Sequence, residues 1–173
     1  TGKSWEDNVE SRITKPLNMN DTGFLQLQAL PENYAYTYSV NWLGRLKKDP
    51  DFYIDNFWAA GNMYSTAEDL LKLDQAMYGE QLLSDEMKKT MFKSYPEYNY
   101  SGYSVWTYNY PFINSQPKIM ERRGGILGSN SVLIRMLGQN KTIIILSNND
   151  AFNPDSFGDE NNLREALIRV VAE

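Results

Sequence analysis

The second half of the sequence most strongly constrains the fold, because it contains β-rich segments separated by short connections. Branched and aromatic residues dominate four segments of strand length, at residues 103–110, 118–123, 129–137 and 141–148. The turn Gly138-Gln139-Asn140 joins the last two, with a glycine available for positive φ. Apolar residues then recur at helical spacing over residues 161–173, and the side that is predicted to be buried comprises Leu163, Leu167, Ile168 and Val171. This order predicts an antiparallel sheet that is covered by a C-terminal helix.

The first half is predicted to contain three helices. Ser4 is a candidate N-cap for the first, whose apolar residues recur at every fourth position from Trp5. Ser65 and Glu68 have the spacing of a capping box, so they predict the start of a second helix. The apolar side of this helix is predicted to comprise Leu70, Leu71, Leu73, Ala76 and Met77. A third helix is predicted to begin at Ser84, with an inward face formed by Met87, Met91 and Phe92.

Residues 24–28 alternate like a strand, but residues 24–60 as a whole carry many aromatic side chains without a regular period. We predict a long loop there, and loops of that length are often functional. The length of the chain suits one domain. Residues 1–100 are expected to form mainly helices and loops, and residues 101–173 the strands and the last helix, which makes the fold class α+β.

The amino-acid composition argues against several classes of function. The chain has no Cys and no His, so it lacks thiolates, disulfides and the usual general base. Its net charge of -5 argues against a nucleic-acid partner. The longest apolar run, residues 142–146, is too short to span a membrane. Asp49, Asp51 and Asp55 could suggest a metal site, but their irregular spacing favours a solvated acidic loop, and no metal site is predicted.

Four motifs occur in order along almost the whole chain. They are TGKSW at residues 1–5 with KPLNMNDTG at 15–23, AGNMYSTAEDL at 60–70, RRGGILG at 122–128, and the pair VLIR and ILSN within 132–148. This ordered set resembles the family of serine β-lactamases and penicillin-binding proteins, of the class C β-lactamase and D-Ala-D-Ala carboxypeptidase type. The resemblance implies one partial domain over residues 1–173. It would supply the C-terminal part of a β-lactamase/transpeptidase-like fold, with its sheet, its covering helix and part of its helical lobe.

The resemblance also implies acyl transfer by a serine nucleophile, without a metal or organic cofactor. In this family a Ser-x-x-Lys motif supplies the nucleophile, and a Tyr-x-Asn or Ser-x-Asn motif supplies an acid/base group. Ser115-Gln116-Pro117-Lys118 matches the first motif by letter, but an interior proline is incompatible with the helix that this motif requires. No Tyr-x-Asn occurs, so both motifs are expected upstream, and whether the protein is an enzyme stays open.

The third motif supplies the candidate site residues. By resemblance, Arg122, Arg123 and Gly124 bind substrate, and the amide of Gly125 donates one hydrogen bond in the oxyanion hole. The family has Lys or His at the position of Arg122. An arginine cannot shuttle a proton, but it binds a carboxylate through two parallel hydrogen bonds. Two alternatives stay open: the motif could begin at Arg123, or both arginines could be solvated strand residues beside a turn.

Two functions are compatible with these motifs. The first is the C-terminal portion of a serine hydrolase that cleaves a β-lactam, a D-Ala peptide or an ester in the intact protein and is inactive as residues 1–173 alone. The alternative is a non-catalytic module that binds peptide or cell-wall carboxylate termini. The resemblance implies a small-molecule or peptide substrate and a periplasmic or secreted location.

A half-domain of this fold would expose a strand edge and helix faces that the N-terminal half normally covers. We therefore expect the isolated chain to bind that missing half, to form a homodimer, or to aggregate. Sedimentation measures this directly, and a stable monomer without a companion peptide would contradict the expectation.

Overall fold

The computed structural model describes residues 1–173 and confirms the α+β class. The elements of the first half are α1 (Trp5–Val9), β1 (Gly23–Phe24), β2 (Tyr38–Val40), β3 (Leu46–Lys48), β4 (Met63–Tyr64), α2 (Ala67–Tyr78) and α3 (Asp85–Met91). The elements of the second half are β5 (Trp106–Asn109), β6 (Lys118–Ile126), β7 (Ser129–Met136), β8 (Lys141–Ser147) and α4 (Leu163–Ala172). A π-helical turn continues α1, and 3-10 turns lie at Ile54–Ala60 and Pro96–Tyr98.

The predicted strands form one antiparallel sheet in the order β5-β6-β7-β8. β6 and β7 pair without interruption from Ile119 opposite Met136 to Ile126 opposite Ser129. β5 pairs only with residues 118–121 of β6. The second half of β6 therefore extends past its neighbour and has an open edge.

The strand predictions are confirmed, with shifted ends. β5 begins at Trp106 rather than at residue 103, because Ser104 has a φ of 62° that interrupts the extended backbone. β6 continues to Ile126, beyond the predicted end at residue 123, because Gly124 and its successor stay in register with β7.

The main core lies between one face of the sheet and α4. It comprises Tyr110, Ile119, Val132, Ile134, Met136, Ile143, Ile145 and Ile168. The predicted burial of Ile168 is confirmed, but that of Leu163 is wrong, since 53% of its surface is exposed. Leu163 is the first helical residue and turns outward, while the next two residues, Arg164 and Glu165, are buried.

The N-cap of α2 is Thr66 rather than the predicted Ser65. The hydroxyl of Thr66 accepts a hydrogen bond from the amide of Asp69 at 3.2 Å, while the hydroxyl of Ser65 pairs with that of Thr22 at 2.7 Å. The predicted apolar face is also wrong at Leu71, which is 43% exposed. The buried side chains of α2 include the carboxylates of Asp69 and Asp74.

Residues 24–60 contain little regular structure, as predicted. β1 pairs with β4, and β2 pairs with β3 in a separate hairpin. The alternation after Phe24 does not produce a longer strand, because pairing ends at that residue.

The predicted inward face of α3 is wrong at Met87, which is 53% exposed at the surface of this short helix. None of the helices combines the length and apolar character that crossing a bilayer requires.

A buried ion pair attaches α2 to the opposite face of the sheet. Nε of Arg135 on β7 donates to the Asp74 carboxylate at 2.9 Å, and both side chains are almost completely buried. The hydroxyl of Thr142 on β8 donates to the second carboxylate oxygen at 2.7 Å. The Tyr78 ring covers the guanidinium at 4.0 Å. Each polar atom of this carboxylate therefore has a partner.

We predict that Asp74→Ala lowers the free energy of unfolding by about 3–5 kcal/mol, because it leaves the Arg135 charge buried and unpaired. Urea titration followed by circular dichroism measures the loss. The double variant Asp74→Leu with Arg135→Met removes both charges and is expected to be much closer to the native stability. Lys15→Ala, which breaks an exposed pair with Glu10, is the control and should change little. Equal losses in the single and double variants would contradict the prediction.

Candidate functional site

The candidate site lies on the open edge of β6, and backbone hydrogen bonds determine which groups point there. The amide of Tyr110 donates to the Pro117 carbonyl at 2.9 Å on the β5 side. The amide of Leu137 donates to the Lys118 carbonyl at 2.8 Å on the β7 side. Backbone groups alternate between the two edges of a strand. Gly125 lies an even number of positions after Pro117, so its amide points to the same side as the Pro117 carbonyl, which is the β5 side. Because β5 does not reach Gly125, that side is the open edge.

The two arginines of the motif lie on opposite faces of the sheet. Arg122 is exposed and shares its face with Gly124 and with Arg135, the residue that contacts α2. Arg123 shares the other face with Val132, which belongs to the core under α4. The guanidinium of Arg122 lies 5.2 Å from the Trp106 ring and has no ion-pair partner. The open edge thus combines one exposed cation, one glycine and one outward amide.

Arg123 is held on the α4 face by several partners. Its guanidinium forms an ion pair with Asp155, and Nε lies 3.4 Å from the Glu121 carboxylate. The rings of Trp106 and Phe157 lie 4.4 Å and 4.9 Å from the guanidinium carbon. Only 15% of the side chain is exposed. These contacts position the strand and leave Arg122 as the more accessible cation.

A buried network of charges lies behind this part of β6. Arg164 of α4 donates to Glu121 at 2.7 Å and also pairs with Glu165. The hydroxyl of Tyr108 donates to Glu121 at 2.6 Å, and the hydroxyl of Tyr110 donates to Glu165. The network ties α4 to the residue that directly precedes Arg122.

The chemistry of the network keeps its groups in fixed charge states. Burial, reinforced by the Glu121 carboxylate, raises the pKa of Tyr108 far above its ordinary value, so this hydroxyl remains a donor. Burial alone would lower the pKa of Arg164, but the surrounding carboxylates raise it, so the guanidinium stays charged. Sequence reasoning missed this network. Its signals were a glutamate inside a predicted strand and an Arg-Glu pair at the start of α4.

The β2–β3 hairpin contacts the turn that follows the site. The amide of Gly128 donates to the Asp49 carboxylate at 2.9 Å, and the Ser39 hydroxyl donates to the same group at 2.5 Å. A Cβ at position 128 would lie 2.1 Å from the carbonyl oxygen of Tyr38, so only glycine fits there. The amide of Tyr38 donates to the Asn148 carbonyl at 2.9 Å. The long loop is thereby fixed to the end of the sheet beside the site.

The remaining sequence candidates do not join the site. Gln116 has a φ of 40°, so Ser115 and Lys118 lie in a turn and at a strand start rather than on one helix. No three His, Cys, Asp or Glu side chains come close enough together to hold a metal ion. Asp49 binds the Gly128 amide instead. The site can therefore offer an amide donor and a cation, but the described residues do not bring a nucleophile to it.

Comparison with known proteins gives consistent matches over nearly the whole chain. A family model described as Beta-lactamase matches residues 1–168. Penicillin-binding protein 4* of Bacillus subtilis is 28% identical over 164 residues, which is 87% of this chain and 36% of the relative. Teichoic acid D-alanine hydrolase of Staphylococcus aureus is 31% identical over 115 residues, which is 63% of this chain and 29% of the relative. The chain thus spans about a third of the length of these curated relatives.

The fold is also that of a solved structure. The octameric penicillin-binding protein homologue from Pyrococcus abyssi superposes with a TM-score of 0.80 over 99% of this chain and 39% of its own. The sequence identity is 21%, so this likeness concerns the fold alone.

We predict that the attachment of the β2–β3 hairpin weakens in acid. Burial acts to raise the pKa of Asp49, but hydrogen bonds from Ser39, Thr37 and the Gly128 amide outweigh it, so the pKa is lowered. A lowered pKa contributes stability above about pH 4, and the contribution is lost as the pH falls through the folded-state value.

Hydrogen exchange of the Gly128 amide measures the attachment. Exchange is expected to accelerate below about pH 4, relative to the intrinsic rate, and Asp49→Asn should remove most of this pH dependence. Asp51→Asn, at an exposed neighbour, is the matched control. Protection that is the same in Asp49→Asn and in the native protein would contradict the prediction.

Proposed function

This chain belongs to the Beta-lactamase family, as its ordered motifs indicated, and we propose that it forms one wall of the active site of a serine hydrolase. The reaction of the intact protein would be acyl transfer to a serine followed by hydrolysis of the acyl-enzyme. The Ser-x-x-Lys and Tyr-x-Asn motifs that this chemistry requires would come from outside residues 1–173. Residues 1–173 alone are expected to be inactive.

The observation that carries the proposal is the open edge of β6. The Gly125 amide points away from β7 at a position where no strand faces it. An unpaired, fixed amide is the group that stabilises the oxyanion when a nucleophile adds to a carbonyl carbon. Gly124 leaves room on the adjacent face for a substrate backbone to approach.

Arg122 is proposed to anchor the substrate rather than to move protons. An arginine guanidinium is permanently charged and matches a carboxylate in shape. During acylation an upstream acid/base group takes the proton of the serine hydroxyl as the serine oxygen bonds to the carbonyl carbon. The bond from that carbon to the leaving amine or alcohol then breaks, and the leaving group receives a proton from the upstream group. Water then cleaves the ester and releases the acid. Arg122 would hold a carboxylate of the substrate through these steps, and Arg123 would position the strand.

The substrate class follows from the same chemistry. A D-alanyl peptide, a β-lactam or a D-alanyl ester all offer a carbonyl for attack, and the first two carry a carboxylate nearby. Two relatives are named as a penicillin-binding protein and a teichoic acid D-alanine hydrolase, which supports D-alanyl or β-lactam acyl donors. Because teichoic acid is a cell-wall polymer, we also propose that the protein acts outside the cytoplasm.

A second candidate function is a binding module for carboxylate termini. The observation in its favour is the arginine at position 122, where the resembled family has a residue that can share a proton. Labelling with a fluorophosphonate or a tagged penicillin separates the two functions. A covalent adduct on a serine of the intact protein supports the hydrolase, and carboxylate binding without any adduct supports the module.

We predict that Arg122→Gln in the intact protein lowers kcat/KM about 10–100-fold for a D-alanyl substrate with a free carboxylate, because a charged hydrogen-bond pair is lost. The effect on the matching substrate whose carboxylate is amidated should be much smaller.

Arg123→Gln is the matched control. It loses contacts with Asp155 and Glu121, so it should reduce thermal stability without changing the preference for the free carboxylate. Equal losses of Arg122→Gln on both substrates would overturn the anchoring role.

A further inference from the structure

The tip of the β2–β3 hairpin exposes a group of large apolar side chains. Trp42 is 91% exposed, more than any other large apolar residue in the chain. Leu43 and Leu46 are 55% and 56% exposed, and Val40 is 40% exposed. Val40 and Leu46 are paired across the two strands, so their side chains share one face directly behind the tip. The four residues form one apolar tip, whose side chains are 40–91% exposed.

The turn at this tip is well supported by hydrogen bonds. The side-chain oxygen of Asn41 accepts from the amides of Leu43 and Arg45 at 2.9 Å and 3.0 Å. The Asn41 amide donates to the Arg45 carbonyl at 2.9 Å, and Gly44 has a φ of 72°, which suits glycine. The exposure of Trp42 therefore follows from a closed turn that projects its central residues outward.

The hairpin is basic in an otherwise acidic chain. Arg45, Lys47 and Lys48 lie between residues 38 and 48, which include no Asp or Glu, although the whole chain has a net charge of -5. The nearest carboxylates are occupied at the base of the hairpin: Asp49 accepts from Gly128, and Asp150 accepts from the Val40 amide at 2.7 Å. The tip thus combines exposed apolar groups with cations whose charges are not neutralised by the hairpin itself.

We propose that this hairpin docks the protein onto an anionic lipid bilayer, with Trp42 and Leu43 in the headgroup boundary and Arg45, Lys47 and Lys48 against lipid phosphates. Indole rings favour that boundary because they combine an apolar ring with a hydrogen-bond donor. Each Lys or Arg near an anionic surface strengthens binding about fivefold. A hairpin can enter the interface without any spanning helix.

The size of the tip favours a lipid surface over a protein partner. Covering its four apolar side chains buries roughly 500 Å², which is less than the ~800 Å² per partner of a stable protein interface. A bilayer needs no complementary groove and supplies the matching negative charge. The base of the hairpin is joined to the Gly128 turn, so docking would hold the open edge of β6 close to the membrane surface. The proposal does not depend on hydrolase activity.

Vesicle binding of the intact protein tests the proposal without any substrate. We expect binding to phosphatidylcholine vesicles that contain about one third phosphatidylglycerol, in about 0.1 M salt, and little binding to pure phosphatidylcholine. Trp42→Ser with Leu43→Ser should weaken binding at least about 10-fold. The triple variant Arg45→Gln, Lys47→Gln, Lys48→Gln should weaken it about 100-fold.

Matched controls separate the hairpin from general surface effects. Val170→Ser changes an apolar residue of α4 that is 73% exposed, and it should leave binding within about twofold. The triple variant Arg12→Gln, Lys3→Gln, Lys89→Gln removes the same charge from exposed positions elsewhere, and it should weaken binding far less. Trp42→Phe should retain most of the binding but lose the blue shift of tryptophan emission that vesicles produce.

Two kinds of result would overturn the proposal. One is an absence of binding of the intact protein to anionic vesicles, or binding that the hairpin variants do not reduce. The other is self-association of the protein that Trp42→Ser with Leu43→Ser abolishes in the absence of vesicles, because the tip would then contact a second copy of the chain. Failure of the vesicle test would leave the hydrolase proposal intact, since acylation is measured in solution.

Discussion

The interaction on which the site depends is the neutralisation of Arg164 inside the protein. Its guanidinium is completely buried, and the carboxylates of Glu121 and Glu165 provide the charge that makes this burial possible. Because Glu121 belongs to β6 and Arg164 to α4, the pair fixes the strand against the helix one residue before Arg122. On the other face of the sheet, Arg135 and Asp74 connect β7 to α2 in the same way. β6 is therefore fixed directly to α4, and its neighbour β7 is fixed to α2, although β5 supports only the first half of β6.

Much of the fold could be predicted from local patterns. The strands, the turn at Gly138 and the final helix depend on residue types and spacings that are visible within a few positions. The N-cap at Ser4 is also confirmed, because its hydroxyl accepts from the Asp7 amide. Prediction failed at Thr66, where two adjacent hydroxyls both fit the capping pattern and a contact of Ser65 with Thr22 decided between them.

The buried charges could not be predicted, because their partners are distant in sequence. Asp74 and Arg164 are charged residues of the kind that a helix usually exposes, although each lies four positions from an apolar residue of its own helix, Leu70 and Ile168 respectively. Their burial depends on ion-pair partners that lie 61 and 43 positions away, respectively. The candidate site was predictable only in part, because it also depends on contacts between residues that are distant in sequence. Alternation implied that the two adjacent arginines lie on opposite faces, but which of them faces α4 depended on the register of the sheet.

The absence of histidine from a site built around Arg122 and a backbone amide has a kinetic consequence. An arginine side chain and a backbone amide are not groups that titrate between about pH 5 and pH 9, so the electrostatic potential that they create is constant over that range. If the intact protein shows a bell-shaped pH–rate profile, both limbs would report ionisations of groups supplied from outside this chain or of the substrate itself. Arg122 and the Gly125 amide would affect the maximum rate, whereas other groups would determine the pH values at which the rate falls.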